Sequence, residues 1–210
     1  MTDAALSFVH RFQPATKADA PPLLLLHGTG GDENDLIPLG GMIAPGAALL
    51  SPRGKVLEGG MPRFFRRLRE GVFDEDDVRA RASELAGFIA EARVAYGLAA
   101  PIAVGFSNGA NIAAALLLTQ PDVLAGAVLM RAMVPLAVPP PADLAGRRVL
   151  LLSGAMDPIV PEENAGRLAS QLRASGADLD HRTLPAGHGL SQADLPLARQ
   201  WIEAPVRAAA

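Results

Sequence analysis

The chain has 210 residues, 50% of them apolar, 20% charged and 4% aromatic, which suits a single domain over residues 1–210 and leaves no room for two full cores. A net charge of -3 offers no basic surface to nucleic acid or an anionic membrane, and no apolar run reaches the roughly 18 residues of a spanning helix. With no cysteine and four scattered histidines (His10, His27, His181, His188), disulfides and thiolate chemistry are excluded, and neither a metal nor another cofactor is expected.

The opening Met1-Thr2-Asp3 lacks the basic-then-apolar layout of a secretory leader, so a cytoplasmic protein is expected. Leu6, Phe8, His10 and Phe12 then alternate with Ser7, Val9 and Arg11, the period of a half-exposed edge strand. Short runs without alternation follow at Pro22–His27, Ala47–Ser51, Pro101–Phe106, Ala125–Met130 and Val149–Ser153, with a weaker one at Leu179–Leu184. Such runs mark strands covered on both faces. Between them lie helical patterns. Val78, Ala82, Leu85, Ile89, Ala92 and Tyr96 recur at three-to-four spacing before a stop at Gly97. Asn108–Gln120 is apolar nearly all round, Pro161–Ser175 opens on proline and closes before glycine, and a last helix starts at Asp194. This alternation predicts an α/β fold, with a mainly parallel sheet of about seven strands and helices on both faces. Pro52–Phe73 shows no period and carries Arg53, Glu58, Arg63, Arg66, Arg67, Arg69 and Glu70. It reads as a long loop walling a pocket, its charges forming local ion pairs.

Gly105-Phe106-Ser107-Asn108-Gly109 stands between an apolar strand and a buried helix, the context in which a serine is raised on a sharp turn as a nucleophile. His27-Gly28-Thr29-Gly30-Gly31 leaves the end of another strand, where exposed backbone N–H groups can face an oxyanion. That assigns an oxyanion hole to the N–H groups of Thr29 and Asn108. A phosphate loop would need Gly-Lys-Ser/Thr, which is missing. A serine needs a base, and the base an orienting carboxylate. His188, between Gly187 and Gly189 after the last strand, fits the base, and Asp157, just past the Val149–Ser153 strand, fits the acid. His181 and His10 lie within strand patterns and His27 beside the glycine loop, all suited to structural bonds; Asp178 and Asp180 lie away from the carboxyl end of their strand. Ser107, Asp157 and His188 would thus meet where parallel strands end.

These segments, with Asp157-Pro158-Ile159-Val160-Pro161 and Gly187-His188-Gly189, resemble the α/β-hydrolase superfamily from about residue 20 to 203. Within it they are most similar to the compact carboxylesterase/phospholipase/acyl-thioesterase group and its dienelactone-hydrolase-like relatives. The resemblance implies the α/β-hydrolase fold and a Ser–Asp–His hydrolase with a backbone oxyanion hole and no cofactor. Dienelactone hydrolases usually carry a cysteine nucleophile where this chain has Ser107, and the thioesterases commonly have glutamine where it has Asn108. Large caps of the superfamily are often inserted after the strand ending here at Met130. Ala132–Arg147 is only sixteen residues and proline-rich, so no cap domain and an open site for small carboxylic esters are expected. Two arginines at strand ends, Arg53 and Arg131, are candidates to bind a substrate carboxylate. The alternatives are a thioesterase or lactone hydrolase with the same residues, and a non-catalytic ligand receptor on the same fold. Apolar surface beside the last helix would support a homodimer.

Overall fold

The computed structural model describes residues 6–204, so Met1-Thr2-Asp3 lies outside the described residues. The central sheet contains seven strands: β1 (His10–Gln13), β2 (Leu23–Leu26), β3 (Leu49–Pro52), β8 (Ile102–Phe106), β9 (Gly126–Met130), β10 (Arg148–Gly154) and β11 (Asp178–Leu184). Their spatial order is β1-β3-β2-β8-β9-β10-β11. Only β1 runs antiparallel to its neighbour, at the edge predicted for it; the remaining pairs are parallel. Among the described residues five helices complete the frame: α1 (Ile37–Ile43), α2 (Glu75–Tyr96), α3 (Asn108–Thr119), α4 (Glu162–Ala174) and α5 (Asp194–Glu203).

Both faces of the sheet are covered, which explains the unbroken apolar runs. Leu24 and Leu26 of β2 pack with residues of α2 and α3, whereas Leu23 and Leu25 pack with Leu39 and Ile43 of α1 and Trp201 of α5. Strand geometry sends successive side chains to opposite faces, so a strand buried on both must be apolar throughout. Helix α2 begins where the Asp74 carboxylate accepts the Asp77 N–H and ends at Gly97, whose φ of 66° is the left-handed conformation that closes a helix. Helix α1 carried no clear period in the sequence. Its Gly40-Gly41 pair interrupts the pattern, yet a side chain at Gly40 would press on Leu25 and Leu49. No described helix is long and apolar enough to cross a membrane.

The segment after β3 differs from the loop expected. It folds as two small hairpins, β4 (Val56–Glu58) with β5 (Met61–Arg63), and β6 (Arg67–Arg69) with β7 (Val72–Phe73). Gly59 and Gly60, both at positive φ, form the first turn, and a Gly-Gly pair is a recognisable hairpin signal. Between the hairpins Phe64 and Phe65 are buried in the core. The charges pair locally as expected, Glu58 meeting Arg63 at 3.0 Å and Arg67 at 2.7 Å, and Arg66 bonding Asp74. Residues 132–147 form neither helix nor strand, and Ala132, Met133, Leu136 and Leu144 are buried. They lie against the core, and no cap is built from them.

Candidate active site

The site is built where the parallel strands β2, β8, β9, β10 and β11 end. Ser107 occupies the single residue between β8 and α3, with φ 51° and ψ -115°. A side chain in that region is strained and persists only where its surroundings hold it. The Ser107 N–H donates to Met130 O at 2.9 Å, and its carbonyl accepts the Asn111 N–H at 2.9 Å, fixing the turn from both sides. The flanking glycines are needed for space. A Cβ at Gly105 would stand 2.6 Å from Gly109 O, and one at Gly109 would overlap Leu26 O.

His188 Nε2 lies 2.9 Å from Ser107 Oγ, and its Nδ1 lies 2.9 Å from Asp157 Oδ2. The carboxylate settles the tautomer: it can only accept, so Nδ1 carries the proton and Nε2 is free to accept from the serine hydroxyl. The Asp157 side chain is fully buried, and its other oxygen accepts the N–H groups of Ile159 at 2.8 Å and Val160 at 3.0 Å. Three bonds thus fix the carboxylate, and the imidazole inherits its orientation. Phe106 supports the far side of the imidazole, with ring centroids 5.5 Å apart. The structure therefore brings together the serine, histidine and aspartate expected from the sequence, in hydrogen-bonded series.

Beside them lies the glycine loop after β2. The N–H groups of Gly30 and Gly31 are taken by Pro62 O and Gly28 O, and among the described residues none takes that of Thr29. Asn108 is the first residue of α3, so its N–H has no acceptor within the helix. His27 holds this loop in place. Its Nδ1 bonds Gly28 O at 2.6 Å and its Nε2 accepts the Gly54 N–H at 3.0 Å. Burial pushes its pKa below the ordinary imidazole value, against the pull of Asp35, Asp32 and Glu33. His10 bonds Phe8 O and Tyr96 Oη, and His181 bonds Ser153 Oγ; both sit in strands and serve the fold.

The two arginines behave differently from the expectation that they bind substrate. Arg131 is wholly buried, and its guanidinium points away from solvent onto Asp194 and three backbone carbonyls. It has no donor left for a ligand, so its assignment as a substrate contact is corrected. Arg53 gives its fork to Glu33, with Nε–Oε2 at 2.5 Å and Nη2–Oε1 at 2.7 Å. That bond holds the Glu33 carboxyl below its ordinary pKa. Two site-adjacent features escaped the sequence. The Asn108 Oδ1 accepts the Phe64 N–H at 2.7 Å, and Asp194 closes on Arg131 from 63 positions away. Ser191-x-x-Asp194 does read as a helix-start signature, but nothing in it tells an ordinary first-turn acid from one paired in the core.

An activated hydroxyl, a base with a fixed tautomer and unpaired N–H groups nearby are the parts of an acyl-transfer site. The comparisons with known proteins agree in kind. The phospholipase/carboxylesterase family matches residues 10–205. MhqD of Bacillus subtilis (strain 168), named as a hydrolase, is 49% identical over 183 residues, 86% of this chain and 92% of its own. The crystal structure of the Bacillus cereus carboxylesterase superposes with a TM-score of 0.90 at 42% identity, over 96% of this chain and 95% of that one. A Mesorhizobium loti carboxylesterase gives the same TM-score at 36% identity over 98% of both chains. The chain belongs to the phospholipase/carboxylesterase family, carries its α/β-hydrolase fold, and is a hydrolase.

Proposed function

We propose that the protein cleaves small carboxylic esters through an acyl-enzyme on Ser107. His188 Nε2 takes the hydroxyl proton as Oγ attacks the ester carbonyl, and Asp157 stabilises the imidazolium that forms. The N–H groups of Thr29 and Asn108 receive the developing oxyanion, each donor contributing about 2.7–4 kcal/mol in sites of this kind. His188 then protonates the leaving alcohol, and in the second half-reaction it deprotonates the water that releases the acid. The observation that carries this reading is the continuous series of 2.9 Å bonds from Asp157 through His188 to Ser107. Small, neutral esters are favoured by the lack of a cap and by the engagement of Arg53 and Arg131 with Glu33 and Asp194. Exposed apolar side chains adjoin the site residues in sequence: Met156 and Ile159 beside Asp157, and Leu190 after Gly189. No cofactor takes part, and the reaction is that of a cytoplasmic enzyme acting on a small molecule.

The test is steady-state hydrolysis of p-nitrophenyl acetate and butyrate, beside a thioester, a lactone and an anionic ester of matched size. Ser107→Ala and His188→Ala should each lower kcat by about 10⁶-fold, and Asp157→Asn by about 10⁴-fold, while the proteins stay folded. Turnover by Ser107→Ala at the wild-type rate would overturn the reading. A higher kcat/KM on the thioester or lactone would move the substrate class and keep the residues.

A further inference from the structure

The proposed acyl transfer makes no use of a fully buried ion pair directly behind its base. Arg131 and Asp194 are both wholly inaccessible, joined by two bonds of 2.8 Å, from Nη1 to Oδ1 and from Nη2 to Oδ2. The remaining donors of the guanidinium reach Leu152 O at 3.3 Å, Gly187 O at 3.0 Å and Gly189 O at 3.1 Å. The last two are the carbonyls on either side of His188, and among the described residues no other group holds them. Asp194 is itself anchored, its Oδ2 accepting both the N–H and the hydroxyl of Ser191.

The loop needs such a hold. His188 is flanked by two glycines, the residues with most backbone freedom to lose, and a side chain at Gly189 would meet nothing within 4 Å. Ala186 and Gly187 lie close against Gly154, and the Met156 N–H donates to Ala186 O at 3.0 Å, but no packing fixes the Gly189 side of the loop, and the bond to Asp157 orients only the ring at its tip. Arg131 starts from firm ground. It follows Met130, whose carbonyl accepts the Ser107 N–H, and its own N–H donates to Leu152 O at 2.8 Å. Ser107 and Arg131 are also the only two non-glycine residues at positive φ among those described, at 51° and 57°. The strand that holds the serine turn thus also carries, one residue on, the side chain that grips the histidine loop. A buried ion pair is a weak device for stability alone, because apolar residues of similar volume commonly do as well. What they cannot supply is a rigid planar fork that bonds a carboxylate and two divergent carbonyls at once.

We propose that Arg131, braced by Asp194, is a positioning residue that sets the Gly187–Gly189 loop so that His188 Nε2 stays within reach of Ser107 Oγ. The proposal rests on the acyl-transfer reading above and adds to it a residue that never touches substrate. Removing one partner strands a buried charge, so the decisive variant is the double change Arg131→Met with Asp194→Leu, supported by Arg131→Lys, which keeps the charge but cannot span both carbonyls. Each is compared with wild type and Ser107→Ala by thermal unfolding, kcat and KM on p-nitrophenyl butyrate, and the downfield ¹H NMR signal of the His188 Nδ1 proton. We expect the double variant to unfold near the wild-type temperature, to keep KM and to lose about 10²-fold in kcat. The Nδ1 signal should be lost or broadened by exchange in it while staying sharp in Ser107→Ala. Arg131→Lys should fold and show the same split between kcat and KM. Wild-type kcat with a sharp Nδ1 signal, in either the double variant or Arg131→Lys, would reduce the pair to a structural role and overturn the proposal. Full activity in Ser107→Ala would instead defeat the acyl-transfer reading, and the Nδ1 signal would still report whether Arg131 holds the loop.

Discussion

The Phe64 N–H donates to the side-chain Oδ1 of Asn108 across 2.7 Å, joining the stretch between the two small hairpins to the residue next to the candidate nucleophile. Asn108 is almost fully buried, and its Nδ2 has no hydrogen-bond partner. The side chain therefore works through its oxygen alone. Replacing it with alanine strands the buried Phe64 N–H, a loss of about 1–3 kcal/mol, but also removes an unpaired amide nitrogen that was costly to bury. The net expectation for Asn108→Ala is a loss near the low end, about 1 kcal/mol. It should appear as a lower urea midpoint at constant m. The backbone N–H of Asn108 survives the change, so kcat should fall far less than in Ser107→Ala. Unchanged stability would show that the bond to Phe64 contributes no more than the burial of the unpaired Nδ2 costs.

Two glycines in helices should respond in opposite directions. Gly109 lies in the first turn of α3, where an added Cβ would collide with the backbone carbonyl of Leu26 at the end of β2. Neither partner is a flexible side chain, so strand and helix must separate. Gly109→Ala is expected to lose about 3 kcal/mol or more, with the Ser107 turn displaced. Gly87 sits mid-helix in α2 with nothing within 4 Å of an added Cβ. There alanine only removes backbone freedom from the unfolded chain and should stabilise by about 0.5–1 kcal/mol with activity unchanged. Thermal unfolding and ester turnover on both variants check the pair. A stable, active Gly109→Ala would mean that the close approach of α3 to β2 is not required.

How far the sequence reveals this molecule depends on how local each cause is. Strands β2, β8, β9 and β10 could be read because burial on both faces writes an apolar run into the chain itself. Ser107, Asp157 and His188 could be read because each must stand in a loop at the end of a parallel strand, and few such places exist. The role of Arg131 could not. Its environment is made by Asp194 and by carbonyls of residues 187 and 189, and an arginine at a strand end has the same sequence signature whether its fork faces substrate or core. The hairpins after β3 were hidden for another reason: strands of two or three residues are too short to show a period, and only Gly59-Gly60 announces a turn.

His27 makes the fold sensitive to acid. In the folded protein burial holds its pKa below the ordinary value, and the neutral ring is required because Nε2 accepts the Gly54 N–H. In the unfolded chain the same imidazole takes a proton near its ordinary pKa of about 6.5. Above that pH neither state is protonated and the contribution to stability is complete. As pH falls through about 6.5 the unfolded state binds the proton first, so stability drops by up to about 1.4 kcal/mol per pH unit until the folded pKa is reached. His181, also pushed down by burial and by Arg173, adds a slope of the same sign. His27→Gln offers a neutral acceptor and a neutral donor in place of the ring and cannot titrate. Its unfolding temperature should therefore fall less between about pH 7 and pH 5 than that of the wild type, with the remaining slope due to His181 and the carboxylates. Parallel curves for the two proteins would show that His27 takes up its proton equally in both states, and that the bond to Gly54 does not depend on its neutrality.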